Sequence, residues 1–529
     1  MARQLTATAL LLLAAGTASA QSIVTITSTG LGYAVPTPVA SLEPVSGFRT
    51  YDSLRARYLA LMLDSEVITA HSVGTSMQGR TIEAFRFRTA GETPEGLPRW
   101  GVFLNGSIHA REWASPEVTA AIFEWFALET TDPVRNHVLE TGVVVISPLS
   151  NPDALLVTQA YPNRVVGGGS SGFSGNDGRM RRKNLRDSDS VLETLGDYLS
   201  GVDLNRNHSF GFDIGGSTDP NSITYRGSAA GSEPESQALY TAAGLLPQDQ
   251  IRLAIDFHSY SQLYYVITDN STTRNSAVRA AYQRMANGAR GSSGRNYTSS
   301  ETDLATEAVG AVDEYFTGTY GSMGYTCEIR PVSGSNGFIL PADQIAATRA
   351  EILAATRAGL LYAAGPPALL AIRRAGDGAE LQSRPLAGNL RRIAAGSVVL
   401  NSAVPVDLEF VFSKPMREFR NGSWSLLAGE TDTVPLAVSS AAGAFSDPRW
   451  STTRWPGDTL VMTFTPGVAS GSHGVSIRLA DAVAMALDGD PRTPVTWTRS
   501  GWSGWESSTA DTLGSITVAP AGAVGWAVQ

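Results

Sequence analysis

A histidine and a glutamate three residues apart, His109 and Glu112, have the types and spacing of two metal ligands. They follow an apolar run, residues 100–104, and precede a helix start at Ser115-Pro116. Zn²⁺ accepts imidazole nitrogen and carboxylate oxygen, and a catalytic zinc typically takes three protein ligands and keeps one position open. The pair therefore predicts half of a zinc site, and with it a metallohydrolase.

The third ligand must come from a distant part of the chain, and His258 is the best candidate. It ends a second apolar run, residues 253–257, so it can converge with the first pair at one edge of a sheet. The remaining histidines have weaker contexts, because no carboxylate stands at ligand spacing from them: His71, His137, His208 and His473.

The elements around these residues indicate an α/β domain. Helix-like patterns alternate with apolar runs from residue 48 to 364, which is typical of a mixed or parallel sheet. The helix expected from Ser115 to Glu129 has Ser115 as its N-cap and Pro116 at its first position. This places His109 and Glu112 in the loop after a strand, where open α/β sheets usually carry their sites.

The first twenty residues have the parts of a cleaved secretory signal: Arg3, an apolar core at 9–15 and small residues at 18–20. The apolar core is shorter than the ~20 residues that a spanning helix needs. We therefore expect a secreted or periplasmic protein with no membrane span after signal removal. The net charge of −9 argues against a nucleic-acid partner. The single cysteine excludes an intrachain disulfide.

At 529 residues the chain is long enough for two sizeable cores. After the signal, 1–20, we expect an N-terminal tail at 21–47, a catalytic domain at 48–364, a linker at 365–379 and an all-β sandwich at 380–500. Residues 501–529 stay unassigned. The tail is too short for a domain, so no large pro-domain is expected.

A series of motifs in order resembles the zinc carboxypeptidases of the carboxypeptidase A type, over about residues 50–364. The motifs are HAREW (109–113), MRRKN (180–184), GVDLNRN (201–207), YRG (225–227) with SEPE (232–235), HSYSQ (258–262), CEIR (327–330) and GFILP (337–341). The resemblance implies that family's fold, a mixed sheet of eight strands flanked by helices. Residues 408–416 and 487–491 resemble bacterial immunoglobulin-like modules, which implies such a fold for the sandwich.

The resemblance also implies the roles of the reactive residues. One zinc ion would be held by His109, Glu112 and His258. Glu328 would be the general base, taking a proton from zinc-bound water and delivering it to the leaving amine. The alternative for this residue is an ion pair with Arg330, two positions further along a strand.

The substrate implied is a peptide or protein with a free C-terminus. Asn205 and Arg206 match the family's pair that binds the terminal carboxylate, and arginine suits that anion through its two-pronged donor set. Arg182 matches the arginine that polarises the scissile carbonyl. Arg111 resembles a further arginine that contacts substrate.

Two positions depart from the family pattern or leave it open. The family's loop tyrosine falls on Ala305 or Thr306 here, and three tyrosines could take its place: Tyr297, Tyr315 and Tyr320. The base of the side-chain pocket is Val312 or Asp313, depending on one residue of loop length. Val312, which we favour, predicts apolar C-terminal residues, whereas Asp313 predicts Lys or Arg.

The leading functional prediction is a secreted, monomeric zinc metallocarboxypeptidase. One alternative keeps the zinc and changes the substrate to cell-wall peptides or acylated amino acids. Another is a non-catalytic protein that binds peptides or mediates adhesion. Retention of Glu328 counts against this last reading, because a binding protein needs no general base.

Overall fold

The computed structural model describes residues 45–93, 98–160, 178–187, 200–333, 337–365, 369–376, 380–383, 396–401, 404–412, 418–420, 423–425, 436–440, 443–454, 458–467, 471–479, 495–498, 501–504 and 511–519. The expected signal at 1–20 and nearly all of the expected tail at 21–47 lie outside these residues, as does part of the expected linker.

The first part of the chain contains eight helices and eight strands among its described residues. The helices are α1 (Tyr51–Leu63), α2 (Ala114–Leu128), α3 (Pro133–Thr141), α4 (Pro152–Ala160), α5 (Pro234–Ala243), α6 (Thr272–Ser293), α7 (Val312–Tyr320) and α8 (Ala342–Ala363). The strands are β1 (Ile68–Thr75), β2 (Thr81–Phe87), β3 (Trp100–Gly106), β4 (Gly142–Ser147), β5 (Ile251–Ser259), β6 (Leu263–Thr268), β7 (Thr298–Asp303) and β8 (Met323–Ile329).

These eight strands form one mixed sheet in the order β1-β2-β4-β3-β5-β8-β6-β7. The four central strands, β4, β3, β5 and β8, run parallel to one another. The pairs β1–β2, β2–β4 and β6–β8 are antiparallel. The edge strand β7 is parallel to β6. The expected mixed α/β fold with a sheet of eight strands is confirmed.

Helices cover both faces of the sheet, which explains why the central strands read as continuous apolar runs. Helices α1, α2, α6 and α8 pack one large core against the first face. On the second face, α5 and α7 enclose a smaller core that includes Phe103, Leu239 and Phe316. The functional side chains described below lie on this second face.

The start of α2 differs from the expectation. The helix begins at Ala114, and its N-cap residue, Trp113, makes no side-chain capping bond. Ser115 lies inside the first turn, where its hydroxyl accepts from the Ser107 N–H at 2.9 Å and donates to the Phe257 carbonyl at 2.5 Å. Ser115 therefore joins the ends of β3 and β5 instead of capping its own helix.

The described residues after position 368 are mostly in strands, while the predicted sandwich stays a prediction. These strands are β9 (Leu369–Arg374), β10 (Glu380–Ser383), β11 (Gly396–Asn401), β12 (Val406–Phe412), β13 (Glu418–Arg420), β14 (Ser423–Ser425), β15 (Leu436–Ser440), β16 (Gly443–Ser451), β17 (Thr459–Pro466), β18 (Gly471–Leu479), β19 (Val495–Thr498), β20 (Gly501–Gly504) and β21 (Asp511–Ala519).

Nine of these strands form one sheet in the order β10-β9-β12-β17-β16-β15-β18-β21-β11. Strand β21 lies in the segment 501–529 that the sequence leaves unassigned, and it pairs with both β11 and β18. The immunoglobulin-like arrangement of this region stays a prediction. Within the described residues, no helix combines the length and the apolar character needed to cross a membrane.

Candidate active site

Three potential metal ligands meet where β3 and β5 end side by side. His109 and Glu112 lie in the loop after β3, and His258 is the penultimate residue of β5. The Nδ1 atoms of His109 and His258 lie 2.9 Å from the Oε1 and Oε2 atoms of Glu112, respectively. The three ligand atoms are all within 4.8 Å of one another, and the three side chains are buried.

The backbone around the first two ligands depends on small residues. A Cβ at Gly106 would meet the Thr119 Cγ2 atom of α2 at 2.7 Å, so glycine lets α2 pack against the end of β3. The next residue, Ser107, has a φ of +63° and is held by the Ser115 hydroxyl. This turn carries the chain off the strand and brings His109 and Glu112 back toward β5.

The second ring nitrogen of each histidine faces a buried carboxylate. His109 Nε2 is 3.1 Å from Asp203 Oδ1, and His258 Nε2 is 2.7 Å from Asp256 Oδ2. The Nε2 atom of each ring therefore faces a carboxylate, while the Nδ1 atom faces Glu112 and the potential metal position. The sequence analysis missed both carboxylates, although Asp256 carries a signal: residues two apart on a strand share a face.

The charge balance of the cluster suits a cation. Burial by itself would raise the pKa of Glu112, but the adjacent His109 and His258 lower it below its ordinary value. Burial lowers the pKa of His109. Two buried imidazole nitrogens and one ionised carboxylate form a donor set that fits a catalytic zinc ion.

Glu328 lies directly beside this cluster. It is on β8 opposite His258 in the parallel register, so both side chains lie on the second face of the sheet. Its Oε2 atom is buried and has no hydrogen-bond partner among the described residues. Burial, followed by the nearby Glu112 carboxylate, raises the pKa of Glu328 to about 7. A carboxyl group of this kind can exchange a proton at neutral pH.

The alternative ion pair between Glu328 and Arg330 is wrong. The Arg330 side chain turns to α8, where its Nη2 atom lies 2.5 Å from Glu351 Oε2. Both members of that pair are buried. Glu351 also accepts a hydrogen bond from the Tyr297 hydroxyl at 2.6 Å, so Tyr297 points away from the ligand cluster.

Four more residues that the sequence predicts border the cluster. Arg182 donates through Nε to Asp203 at 2.9 Å, the same carboxylate that contacts His109. Asn205 places its Nδ2 atom 3.4 Å from His258 Nε2, and its backbone carbonyl accepts from Arg206 Nη1 at 2.6 Å. This carbonyl contact anchors one prong of the Arg206 guanidinium close to the ligands.

Arg111 is also placed close to the cluster. Its guanidinium carbon lies 4.0 Å from the centre of the Phe338 ring, and its Nε atom is buried with no partner among the described residues. Burial, followed by the charge of Arg182, lowers the pKa of Arg111 to about 10. The stacking contact with Phe338 orients the Arg111 guanidinium, and its Nε–H group remains available as a hydrogen-bond donor.

The two candidate pocket residues occupy different environments. The Val312 side chain is buried in the core of the second face with Phe103 and Phe316. Asp313 is buried beside Thr326, which hydrogen-bonds to its carboxylate and lies two residues before Glu328 on the same strand. Burial, followed by the charge of Glu314, raises the pKa of Asp313 to about 7.

A glycine brings Asp313 to this position. A side chain at Gly324 of β8 would collide with the Asp313 carbonyl, so the start of α7 can approach the strand only because residue 324 has none. The Asp313 carboxylate thus lies beside Thr326, while the Val312 side chain packs into the core and its backbone N–H donates to Asn205 Oδ1 at 2.9 Å. Which of the two forms the base of the pocket stays a prediction.

The tyrosines proposed to replace the family's loop tyrosine have other partners. Tyr315 and Tyr320 contact each other, with hydroxyl groups 3.5 Å apart, and both pack on Phe316. The sequence analysis missed Tyr265, which is opposite Thr326 in the β6–β8 register and 38 % exposed. Strand alternation puts Tyr265 on the face of Glu328, so its side chain borders the site.

Comparisons with known proteins agree with this geometry. A model of the zinc carboxypeptidase family matches residues 57–355. The carboxypeptidase B of Astacus astacus is 29 % identical over 325 residues, which are 58 % of this chain and 93 % of that protein. The carboxypeptidase A1 of Rattus norvegicus is 27 % identical over 318 residues, 58 % of this chain and 68 % of that protein.

Among solved structures, the carboxypeptidase A from Helicoverpa armigera aligns with a TM-score of 0.49 and 22 % identity, covering 67 % of this chain and 79 % of that one. The family match extends over more than half of the chain and contains every ligand and polar residue of the cluster described above. The chain therefore belongs to the zinc carboxypeptidase family of hydrolases.

Proposed function

We propose that this protein is a secreted or periplasmic zinc metallocarboxypeptidase that removes C-terminal residues from peptides. The observation that carries the proposal is the convergence of three ligand atoms within 4.8 Å on the sheet face where Glu328 lies opposite His258. A zinc ion held by His109, Glu112 and His258 would supply Lewis acidity, which polarises a carbonyl and lowers the pKa of a water molecule.

Glu328 would move the proton in this reaction. Its pKa of about 7 and its unpartnered Oε2 atom suit it to accept a proton from water and return it to the leaving amine. Arg182 would hydrogen-bond the carbonyl oxygen as negative charge develops there. Because Asp203 binds both Arg182 and His109, it keeps this arginine beside the first ligand.

The C-terminal carboxylate of the substrate would be bound by Asn205 and Arg206. A guanidinium matches a carboxylate through parallel N–H donors, which gives orientation as well as charge compensation. Arg111, stacked on Phe338, would contact the peptide further from the cleaved bond. Recognition of a free terminal carboxylate is what limits such an enzyme to the last residue of a peptide.

We propose Asp313 as the residue that selects the terminal side chain. A buried carboxylate beside Thr326, on the face of Glu328, would attract Lys or Arg. Removing one partner of a buried ion pair typically costs about 3–5 kcal/mol, or roughly 10²–10⁴-fold in rate. Asp313→Asn should therefore lose most activity on C-terminal Arg peptides and little on C-terminal Phe peptides.

The domain plan stays a proposal as well. A signal at 1–20 would export a monomeric protein. Its catalytic domain, 48–364, would be followed by a linker, 365–379, and an immunoglobulin-like module from 380 to about 500. The sheet of nine strands that forms among the described residues after position 368 supports the module.

The test is a mass-spectrometric time course on peptides with varied C-termini, with and without a chelator. Stepwise loss of terminal residues, abolished by chelation and restored by Zn²⁺, is the expected result. Glu328→Gln is the matched control, because it should retain zinc and lose turnover. Zinc-loaded protein that leaves every peptide intact would refute the proposal.

A further inference from the structure

The carboxylate of Asp256 is fixed between a metal-ligand candidate and a buried amide. Its Oδ2 atom lies 2.7 Å from His258 Nε2, and its Oδ1 atom accepts a hydrogen bond from Asn105 Nδ2 at 2.8 Å. Asp256 and Asn105 face each other in the β3–β5 register, so the contact belongs to the sheet itself. All three side chains are buried.

The chain of hydrogen bonds continues away from the site. The Ser150 hydroxyl lies 2.7 Å from Asn105 Oδ1 and 2.6 Å from the Gly106 carbonyl. Ser150 stands just before α4, so the amide of Asn105 is held from a second element. The amide can then present its N–H group to Asp256 in only one orientation, which in turn fixes the carboxylate against His258.

A buried carboxylate without a cation is energetically unfavourable and needs an explanation. Within the described part of the chain, Asp256 pairs with His258, and no lysine or arginine lies within ion-pair distance of it. The carboxylate of Asp203, in contrast, is shared between His109 and Arg182. His258 is therefore the charged group that Asp256 contacts directly, although the Asp256 charge also helps to raise the pKa values of Glu328 and Asp313.

We propose that Asp256 is a positioning residue for the metal centre: it holds the proton on Nε2 of His258 so that the Nδ1 lone pair is directed at the metal. Asn105 and Ser150 set the orientation of Asp256. The inference rests on the proposed function in one respect, namely that the cluster binds zinc. It adds a residue that neither the motif spacing nor the family match assigns.

The test measures zinc affinity directly, by competition with a chromophoric chelator, in the full-length protein. Asp256→Asn keeps the size of the side chain and removes its charge. The dissociation constant for zinc should rise about 10–100-fold, the usual effect of losing such a partner. The d–d absorption bands of the Co²⁺-substituted variant should shift as well, because the His258 ring is no longer held in one orientation.

Asp313→Asn is the matched control. It also removes one buried carboxylate, on helix α7 beside the same face of the sheet, but this carboxylate accepts hydrogen bonds from Thr326 and from the Glu314 N–H and not from a histidine. Its zinc affinity should equal that of the wild type. Equal weakening in both variants would mean a general charge effect and would overturn the proposal, as would wild-type affinity in Asp256→Asn.

A third variant covers a failure of Asp256→Asn to fold, which circular dichroism of the metal-free protein would reveal. Asn105→Ala keeps Asp256 and removes the donor that orients it, so the zinc dissociation constant should again rise. Unchanged affinity in this folded variant would overturn the proposal. A wild-type protein that binds no zinc at all would instead refute the proposed function, so the two failures are distinguishable.

Discussion

A buried glutamate away from the metal cluster should make the stability of the catalytic domain depend on pH. Glu235 lies in the first turn of α5 and is buried. Its two carboxylate oxygens accept from the Met77 N–H and from Asn184 Nδ2, both at 3.0 Å. Burial, opposed by these hydrogen bonds and reinforced by Asp153, raises its pKa from 4.5 to about 7.

The stability of the domain should fall as the pH rises, because the folded state favours the protonated form of Glu235. The contribution of Glu235 to stability is fully present below pH 4.5 and is lost as the pH rises through 7. Above pH 4.5 the unfolded chain releases this proton, whereas the folded protein must either retain it or bury a charged carboxylate. With these two pKa values, proton linkage gives a loss of about 2.5 kcal/mol between pH 5 and pH 8.

Glu235→Gln removes this titration and leaves a neutral side chain of similar size. Its loss of a hydrogen bond to Asn184 changes stability by an amount that does not depend on pH. Relative to wild type, the variant should therefore gain about 5 °C in Tm between pH 5 and pH 8, at roughly 2 °C per kcal/mol for a domain of this size. Differential scanning calorimetry of both metal-free proteins at several pH values measures this gain.

Glu301→Gln provides the control for the chemical change. Glu301 is exposed and pairs with Arg279 at 2.6 Å, which lowers its pKa, so it stays ionised from pH 5 to pH 8. Its Tm difference from wild type should be the same across that range. A Tm difference that is equally constant for Glu235→Gln would refute the argument that burial raises the pKa of Glu235.

Three further outcomes follow from the site and its surroundings. Glu328→Gln should lower kcat about 10²–10⁴-fold with zinc content unchanged by metal analysis, and a loss of zinc would contradict its assignment as a base. Arg330→Met should destabilise the catalytic domain by about 3–5 kcal/mol in denaturant unfolding, since it leaves Glu351 buried without its cation; wild-type stability would count against that ion pair. Val312→Ala should cost about 1–3 kcal/mol and leave the preference between C-terminal Arg and Phe unchanged, whereas an altered preference would return Val312 to the pocket.

Much of the fold is predictable because it depends on local patterns. The apolar runs at 100–104 and 253–257 mark two of the central strands, β3 and β5. The start of α2 is an exception. Ser115 has the sequence signature of an N-cap, but the approach of β5 gives its hydroxyl a better partner in the Phe257 carbonyl.

The metal-ligand set is predictable for a related reason. His109 and Glu112 are close in sequence, and His258 ends a strand of the same kind, so each ligand carries a local signature. The carboxylate that contacts His109 does not share this advantage. Asp203 contacts His109 across 94 positions of the chain, and no local pattern announces such a pair.

The difference between local and long-range contacts also explains why the sequence does not distinguish the surroundings of Val312 from those of Asp313. A one-residue ambiguity in loop length leaves Val312 and Asp313 equivalent in the sequence, yet their side chains leave α7 in different directions. The direction of each depends on how closely α7 approaches Gly324 of β8, and on Phe103 and Phe316 forming the core that receives Val312. Residue types and spacing therefore suffice to indicate zinc chemistry, while the contacts of Asp203 with His109 and of Asp313 with Thr326 form only when distant strands and helices pack together.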